Sequence, residues 1–243
     1  MRRRLSVLAL VLLLALSVPC VPALCETTAQ DGTLLVEVAQ TACNIVRSGD
    51  YYLVYCYAQV HNQSGQILCL DEGHFELYNG DQLLATQSVT RLWPYFLSPG
   101  EDGYLFDVVA FEPNEDGSFV PSVSGLDYFV KYMPVDSQFA GMALPVSPSI
   151  ERDASTGKLH VVCELSNPSA APAYDPSVTF GLYLDSGAML YADGVTLQNV
   201  GIPAGGTTLV RFPVDDTVAK QWESYGVTPA RVQAKAIYRA DSD

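Results

Sequence analysis

Two stretches of the chain alternate apolar and other positions with a period of two. In the first, Val54, Cys56, Ala58 and Val60 alternate with Leu53, Tyr55, Tyr57 and Gln59; in the second, Leu159, Val161, Cys163 and Leu165 alternate with His160, Val162, Glu164 and Ser166. Successive side chains of a strand point to opposite faces, so this period predicts half-buried strands. Turn chemistry interrupts the pattern at Ser48-Gly49-Asp50, Asn79-Gly80-Asp81, Ser98-Pro99-Gly100, Ser155-Thr156-Gly157 and Asp185-Ser186-Gly187. Short alternating strands punctuated in this way predict antiparallel β-sandwich architecture. A single helix is expected where Asp215 or Asp216 can cap a turn carrying Val218 and Trp222, followed by Tyr225 and a stop at Gly226. The corresponding stretch earlier in the chain, 112–125, contains Pro113, Gly117 and Pro121 and predicts no regular helix.

The pattern repeats with an offset of 105 residues. Asn62 aligns with Asn167, Phe75 with Phe180, Leu77 with Leu182, Tyr78 with Tyr183, Leu84 with Met189, Leu92 with Leu197, Leu97 with Ile202 and Gly100 with Gly205, all without a gap. A slip of one residue then aligns Phe106 with Phe212, Val108 with Val214 and Tyr132 with Tyr238. Each copy has the length of an ordinary sandwich domain. The fold class is therefore all-β: two tandem antiparallel sandwiches over residues 30–134 and 139–240, joined where Pro134, Asp136 and Ser137 follow the last strand of the first copy.

Residues 1–23 precede this fold. Arg2, Arg3 and Arg4 lead into an apolar run from Leu5, and Val21-Pro22-Ala23 supplies the small-residue pattern of a signal-peptide cleavage site. Cleavage there predicts a secreted or extracellular protein. Retention at the envelope through an uncleaved segment is the alternative, because Leu5 to Leu24 is 20 residues, although Pro19 and Pro22 interrupt a spanning helix. Cys20 and Cys25 follow Pro19 and Leu24, not the small residue a lipoprotein signal needs, so no lipid is expected. Beyond residue 30 no apolar run reaches membrane-spanning length. The chain of 243 residues carries a net charge of -14, and loss of the three leader arginines makes it -17. Such acidity repels phosphate backbones and anionic headgroups, which argues against nucleic-acid and membrane-surface partners. Charged residues are only 16% of the chain and hydrophobic ones 49%, so a mostly disordered chain is excluded and a real core is expected.

The block Phe75-Glu76-Leu77-Tyr78-Asn79 and its partner Phe180-Gly181-Leu182-Tyr183-Leu184 resemble the signature of the FxLYD domains, immunoglobulin-like modules of bacterial envelope and secreted proteins. Asn62 and Asn167 at strand ends, and the turns before Phe106 and Phe212, also resemble that family's layout. The resemblance implies that both sandwiches are immunoglobulin-like, extracellular and noncatalytic. From the residues themselves, Phe75 and Leu77 lie two apart and face a core, while Tyr78 takes the other face before a hairpin.

Candidate chemistry is sparse. His61, His74 and His160 form no pair at metal-ligand spacing, and no glycine-flanked nucleophilic serine, phosphate loop or zinc motif occurs. The turn Glu112-Pro113-Asn114-Glu115-Asp116-Gly117-Ser118 imitates half a calcium loop, but Val123 stands where a bidentate Glu belongs, so a solvated turn is expected. No catalytic residue, metal or cofactor is therefore assigned. Cys56 and Cys163 fall on inward positions and are read as buried small hydrophobes without pairing, while a bridge among Cys43, Cys56 and Cys69 stays open as the alternative in an exported protein. The copies differ most at Trp93-Pro94-Tyr95-Phe96, which aligns with Gln198-Asn199-Val200-Gly201. Trp93, Tyr95 and Phe96 are candidate ligand-binding residues: planar rings in a loop can stack on sugars or anchor a protein. Packing against the neighbouring sandwich is the competing expectation. Two functions are thus carried forward, a noncatalytic interaction or scaffold protein of the bacterial cell envelope with a protein or cell-wall polysaccharide partner, and a carbohydrate-binding module using that loop.

Overall fold

The computed structural model describes residues 27–28, 34–89, 91–113 and 121–238. The expected leader, Cys20, Cys25 and residues 114–118 of the calcium-like turn lie outside them. The first half runs β1 (Thr27–Thr28), β2 (Leu34–Ser48), β3 (Tyr51–Asn62), β4 (Ile67–Asn79), β5 (Gln82–Ser88), β6 (Leu92–Trp93), β7 (Phe96–Leu97), β8 (Asp102–Phe111) and β9 (Gly125–Val135). A 3-10 turn at Ser137–Phe139 leads to β10 (Met142–Leu144), β11 (Val146–Arg152), β12 (Leu159–Ser166), β13 (Ala173–Tyr174), β14 (Ser177–Tyr183), β15 (Met189–Thr196), β16 (Gly201–Ile202), β17 (Thr207–Pro213), α1 (Asp216–Ser224) and β18 (Arg231–Tyr238).

The fold is the all-β antiparallel sandwich architecture expected from the alternation. In the first half, the sheet β1-β2-β3-β8-β6 faces a sheet in which β4 pairs β5, β7 and β9. Between them lie Val54, Cys56, Ala58, Val60, Leu68, Phe75, Leu77, Leu97, Leu105 and Tyr128. In the second half, β11-β12-β17 faces β10-β18-β14-β15, and β13 pairs β16. Val161, Cys163, Leu165, Phe180, Leu182, Ile202 and Phe212 fill that interior. The predicted helix forms as α1: Asp215 caps it by accepting from the backbone N–H groups of Thr217 (2.9 Å) and Val218 (3.1 Å), and Val218, Ala219 and Trp222 are its buried face.

The two halves keep the 105-residue correspondence in their hydrogen bonding as well as in their cores. Asn62 Nδ2 donates to the carbonyls of Gln66 (2.9 Å), Leu97 (3.0 Å) and Ser98 (3.1 Å), and its Oδ1 accepts from Ser64 N and Oγ. Asn167 Nδ2 donates to the carbonyls of Ala171 (2.9 Å), Ile202 (2.9 Å) and Pro203 (3.2 Å), and its Oδ1 accepts from Ser169 N and Oγ. Every partner is displaced by the same interval. A buried amide holding three carbonyls and two donors clasps one sheet to the loop entering the other, so its recurrence is explained by polar satisfaction.

The slip placed after Gly100 is corrected by strand register. His61 pairs with Asp102 and Ser166 with Thr207, so the interval of 105 continues through β8 and β17. Phe106 pairs with Tyr57, whereas Phe212 pairs with Val161, the equivalent of Cys56. The residue equivalent to Phe212 is Asp107, on the opposite face from Phe106. A slip of one residue exchanges the faces of a strand; the outer face of β8 carries apolar residues here because something covers it, and those residues imitate the inner face of β17 in sequence. The extra residue enters beyond β17. Phe75 pairs with Tyr128 and Phe180 with Ala234, an interval of 106, which agrees with matching Tyr132 to Tyr238. The aromatic neighbour of the repeated Phe consequently changes sheets: Phe75 meets Tyr128 beside it at 5.5 Å, and Phe180 meets Phe212 across the core at 5.5 Å.

Candidate functional site

β3 is not half-buried as its alternation predicted; Tyr57 is as inaccessible as Cys56. The second face, Leu53, Tyr55, Tyr57 and Gln59, is covered by the second half, and three of those four residues are apolar or aromatic, the signal that this face seeks a neighbour. Phe106 stacks on Tyr55 and Tyr57 (centroids 6.3 and 5.4 Å), Tyr57 leans on Tyr191 (5.2 Å), and Tyr191 meets Trp222 edge-on (6.0 Å). Arg91 closes this row from one side, its guanidinium 5.2 Å from the Phe106 ring centre. Offset and edge-on rings at these separations add attraction beyond the burial of their area.

Several polar groups at the junction find partners across it, although the buried Tyr57 Oη has none among the described residues. Asn44 Nδ2 donates to the Leu190 carbonyl (2.8 Å), and Trp222 Nε1 donates to Asn44 Oδ1 (2.8 Å). Gln221 Nε2 donates to the Ile45 carbonyl, and the backbone N–H of Met189 donates to Gln40 Oε1 (3.0 Å). Tyr183 Oη donates to Gln59 Oε1 (3.1 Å) and shares a hydrogen bond with Tyr104 Oη (2.8 Å). Burial raises the pKa of Tyr57, Tyr104, Tyr183 and Tyr191, which remain phenols. Burial also lifts the Asp193 carboxyl above its ordinary value, against the pull of Gly194 N–H, Tyr191 Oη and the Arg91 charge.

The three candidate aromatics have separate surroundings. Trp93 lies against Gly194 of β15, where a Cβ would stand 2.5 Å from the indole Cγ. Phe96 stacks on Phe139 of the connecting 3-10 turn at 5.0 Å. Tyr95 touches Phe96 edge-on (4.9 Å) and is 62% exposed. One ring of the three therefore faces solvent broadly, and the others are engaged with the second half and the connection to it. His61 contacts Asp102 (2.7 Å), His74 stacks on Phe129 (4.9 Å), and His160 contacts the Lys158 carbonyl (3.2 Å). No cluster of three metal-ligating side chains occurs among the described residues. Nor, among them, is any helix long and apolar enough to cross a membrane.

No protein-family model matches the chain, and no curated protein matches it in sequence. Three solved structures show distant likenesses. A red sea bream transglutaminase aligns over 82% of this chain and 29% of its own, at 13% identity and a TM-score of 0.22. The chain thus spans less than a third of that protein. The class 5 fimbriae chaperone CfaA aligns over 80% of this chain and 97% of its own, at 10% identity and TM-score 0.14. A Bacillus subtilis oxalate decarboxylase mutant aligns over 89% and 80%, at 7% identity and TM-score 0.14. None of these likenesses carries a functional argument.

Proposed function

We propose that the chain is an exported, noncatalytic interaction or scaffold protein of a bacterial cell envelope. The observation that carries this reading is the junction. Among the described residues, the most elaborate set of aromatic and polar side chains, Tyr57, Tyr104, Tyr183, Tyr191, Asn44 and Trp222, is spent on holding the two halves together, with Trp222 bonded to Asn44 and Tyr104 to Tyr183 across the junction. A body stiffened in this way presents its outer surfaces at a fixed separation, which suits a spacer or a docking platform. The resemblance of the Phe-x-Leu-Tyr blocks to FxLYD modules and the leader-like residues 1–23 support the compartment.

Tyr95 favours a second reading, a carbohydrate-binding module, because a broadly exposed ring can stack on a sugar face. One experiment separates the readings. Cells are fractionated, and the exported chain is sedimented with wall polysaccharide, with Tyr95→Ala in parallel. Recovery outside the cytoplasmic membrane without polysaccharide retention supports the proposed function. Retention lost in Tyr95→Ala with an unchanged melt selects the carbohydrate module. Recovery in the cytosol with residues 1–23 intact overturns both.

A further inference from the structure

We infer that Cys43 and Cys56 form a cross-strand disulfide when the folded chain meets a disulfide oxidant. The two residues are Cα partners in the β2–β3 ladder. Which kind of partner they are follows from the hairpin that joins the strands. Gly49 has φ +61° and Asp50 a negative φ, so the two-residue loop is a type II′ turn, closed by the hydrogen-bonded pair Ser48 and Tyr51. Antiparallel pairs alternate between hydrogen-bonded and non-hydrogen-bonded, and the only irregularity in this ladder lies beyond, between Val38 and Gln40. Counting from the turn through Arg47/Tyr52, Val46/Leu53, Ile45/Val54 and Asn44/Tyr55, Cys43 and Cys56 meet as a non-hydrogen-bonded pair. Such pairs hold their Cα atoms about 4.5 Å apart, within the roughly 4.4–6.8 Å that a disulfide bridges.

Direct partners point to the same face. Cys56 is buried in the first core and Cys43 is half-buried against it. The other thiols among the described residues are elsewhere. Cys69 pairs with Met133, which faces away from the core that Leu68 and Tyr132 enter, and Cys163 lies in the second core. Register therefore selects one of the three pairings left open by sequence. At the equivalent place in the second half, Val161 faces Ile150, an apolar pair.

The exchange balances with a small disulfide such as glutathione disulfide. The half-exposed Cys43 gives its proton to solvent, and its thiolate attacks one sulfur of the oxidant, expelling a glutathione thiolate. Cys56, deprotonated in turn, attacks the Cys43 sulfur of the mixed disulfide and expels the second glutathione. The two protons leave on the two glutathione thiols, and the two electrons reduce the oxidant.

The inference does not rest on export and is tested with the purified full chain. The reduced protein is incubated with glutathione disulfide, blocked with an alkylating agent and digested with trypsin. Cleavage at Arg47 separates Cys43 from Cys56, and Cys69 shares a peptide with Cys56. The peptide that carries Cys43, 5–47, also carries Cys20 and Cys25, so the expected result is a link between it and the 48–91 peptide, lighter by two hydrogen atoms than the reduced pair, in the wild type, in Cys69→Ser and in the double variant Cys20→Ser/Cys25→Ser, and absent in Cys56→Val and in Cys43→Val. Full alkylation of Cys43 in the folded wild type overturns the inference. So does a Cys43 link that survives in Cys56→Val. The wild-type map needs no variant to fold.

Discussion

Gly194 and Trp93 give the most direct test of the junction. Replacing Gly194 by Ala puts a methyl group 2.5 Å from the Trp93 indole Cγ and 2.8 Å from its Cβ and Cδ2, all inside van der Waals contact. The indole must move, and its Cβ is attached to a backbone already paired with Tyr104 of β8. Overpacking of this kind costs about 1–3 kcal/mol, and contact with three atoms at once places the expectation near the upper half. In its favour, Ala loses less backbone entropy than Gly, worth about 0.5–1 kcal/mol. The net expectation is a loss of about 1–2 kcal/mol, a fall of roughly 2–8 °C in melting midpoint for a chain of this size. The diagnostic is a sign change. In a Trp93→Ala background the clash disappears, so Gly194→Ala should become neutral or stabilising. Four melts followed by circular dichroism complete the cycle. If Gly194→Ala leaves the wild-type midpoint unchanged or raises it, Trp93 does not pack on β15, and its place in a solvent-facing platform is restored.

Three further outcomes are expected. Asn62→Ala and Asn167→Ala should each cost roughly 2–4 kcal/mol by denaturant titration, because each strands several carbonyls and N–H groups at once; a harmless change at either would break the equivalence of the halves. Trp222→Phe removes the donor to the buried Asn44 Oδ1 and should cost about 1–3 kcal/mol with α1 retained in circular dichroism. Asp193 has a raised pKa in the folded chain, so its folded form holds a proton that the unfolded chain releases, and stability should fall as pH rises from the ordinary carboxylate value through the raised one. The stability of the wild type relative to Asp193→Asn, melted across the same interval, should fall as pH rises; a difference that does not change with pH refutes the assignment.

The strands, their turns and α1 were legible because their signals are local: a period of two, Gly after a polar pair, Asp before an amphipathic turn. The inner cores were legible for the same reason, since Phe75 and Phe180 announce matching positions. What pattern could not supply was the partner of the second face of β3. Tyr55 and Tyr57 alternate correctly with the core residues, and only the missing polarity of that face hints at a covering. The same covering explains the mistaken slip, because Phe106 is apolar for the junction and Phe212 for a core. Trp93 and Phe96 are nonrepeated residues, and the comparison of copies singled them out correctly as particular to one half. Whether a nonrepeated aromatic meets a ligand or the other copy depends on a tertiary arrangement that neither periodicity nor turn chemistry encodes. The Asn62 and Asn167 clasps were visible as matches, though their role needed the carbonyls that they gather.

The exchange of the large residue between Tyr128 and Phe212 bears on how a duplicated chain avoids assembling wrongly. Two tethered copies with one strand register invite mispairing while both are partly formed. Were β17 to dock in place of β8, Phe212 would take the site of Asp107 and crowd Tyr128, with overpacking of about 1–3 kcal/mol. Were β8 to dock in place of β17, Asp107 would bring a carboxylate into the second interior opposite Ala234, leaving a hole and an ion desolvated without compensation. Each core thus accepts its own strand and resists its sibling's, so the divergence of the copies at these positions works as a sorting code between chain segments that share a common backbone plan.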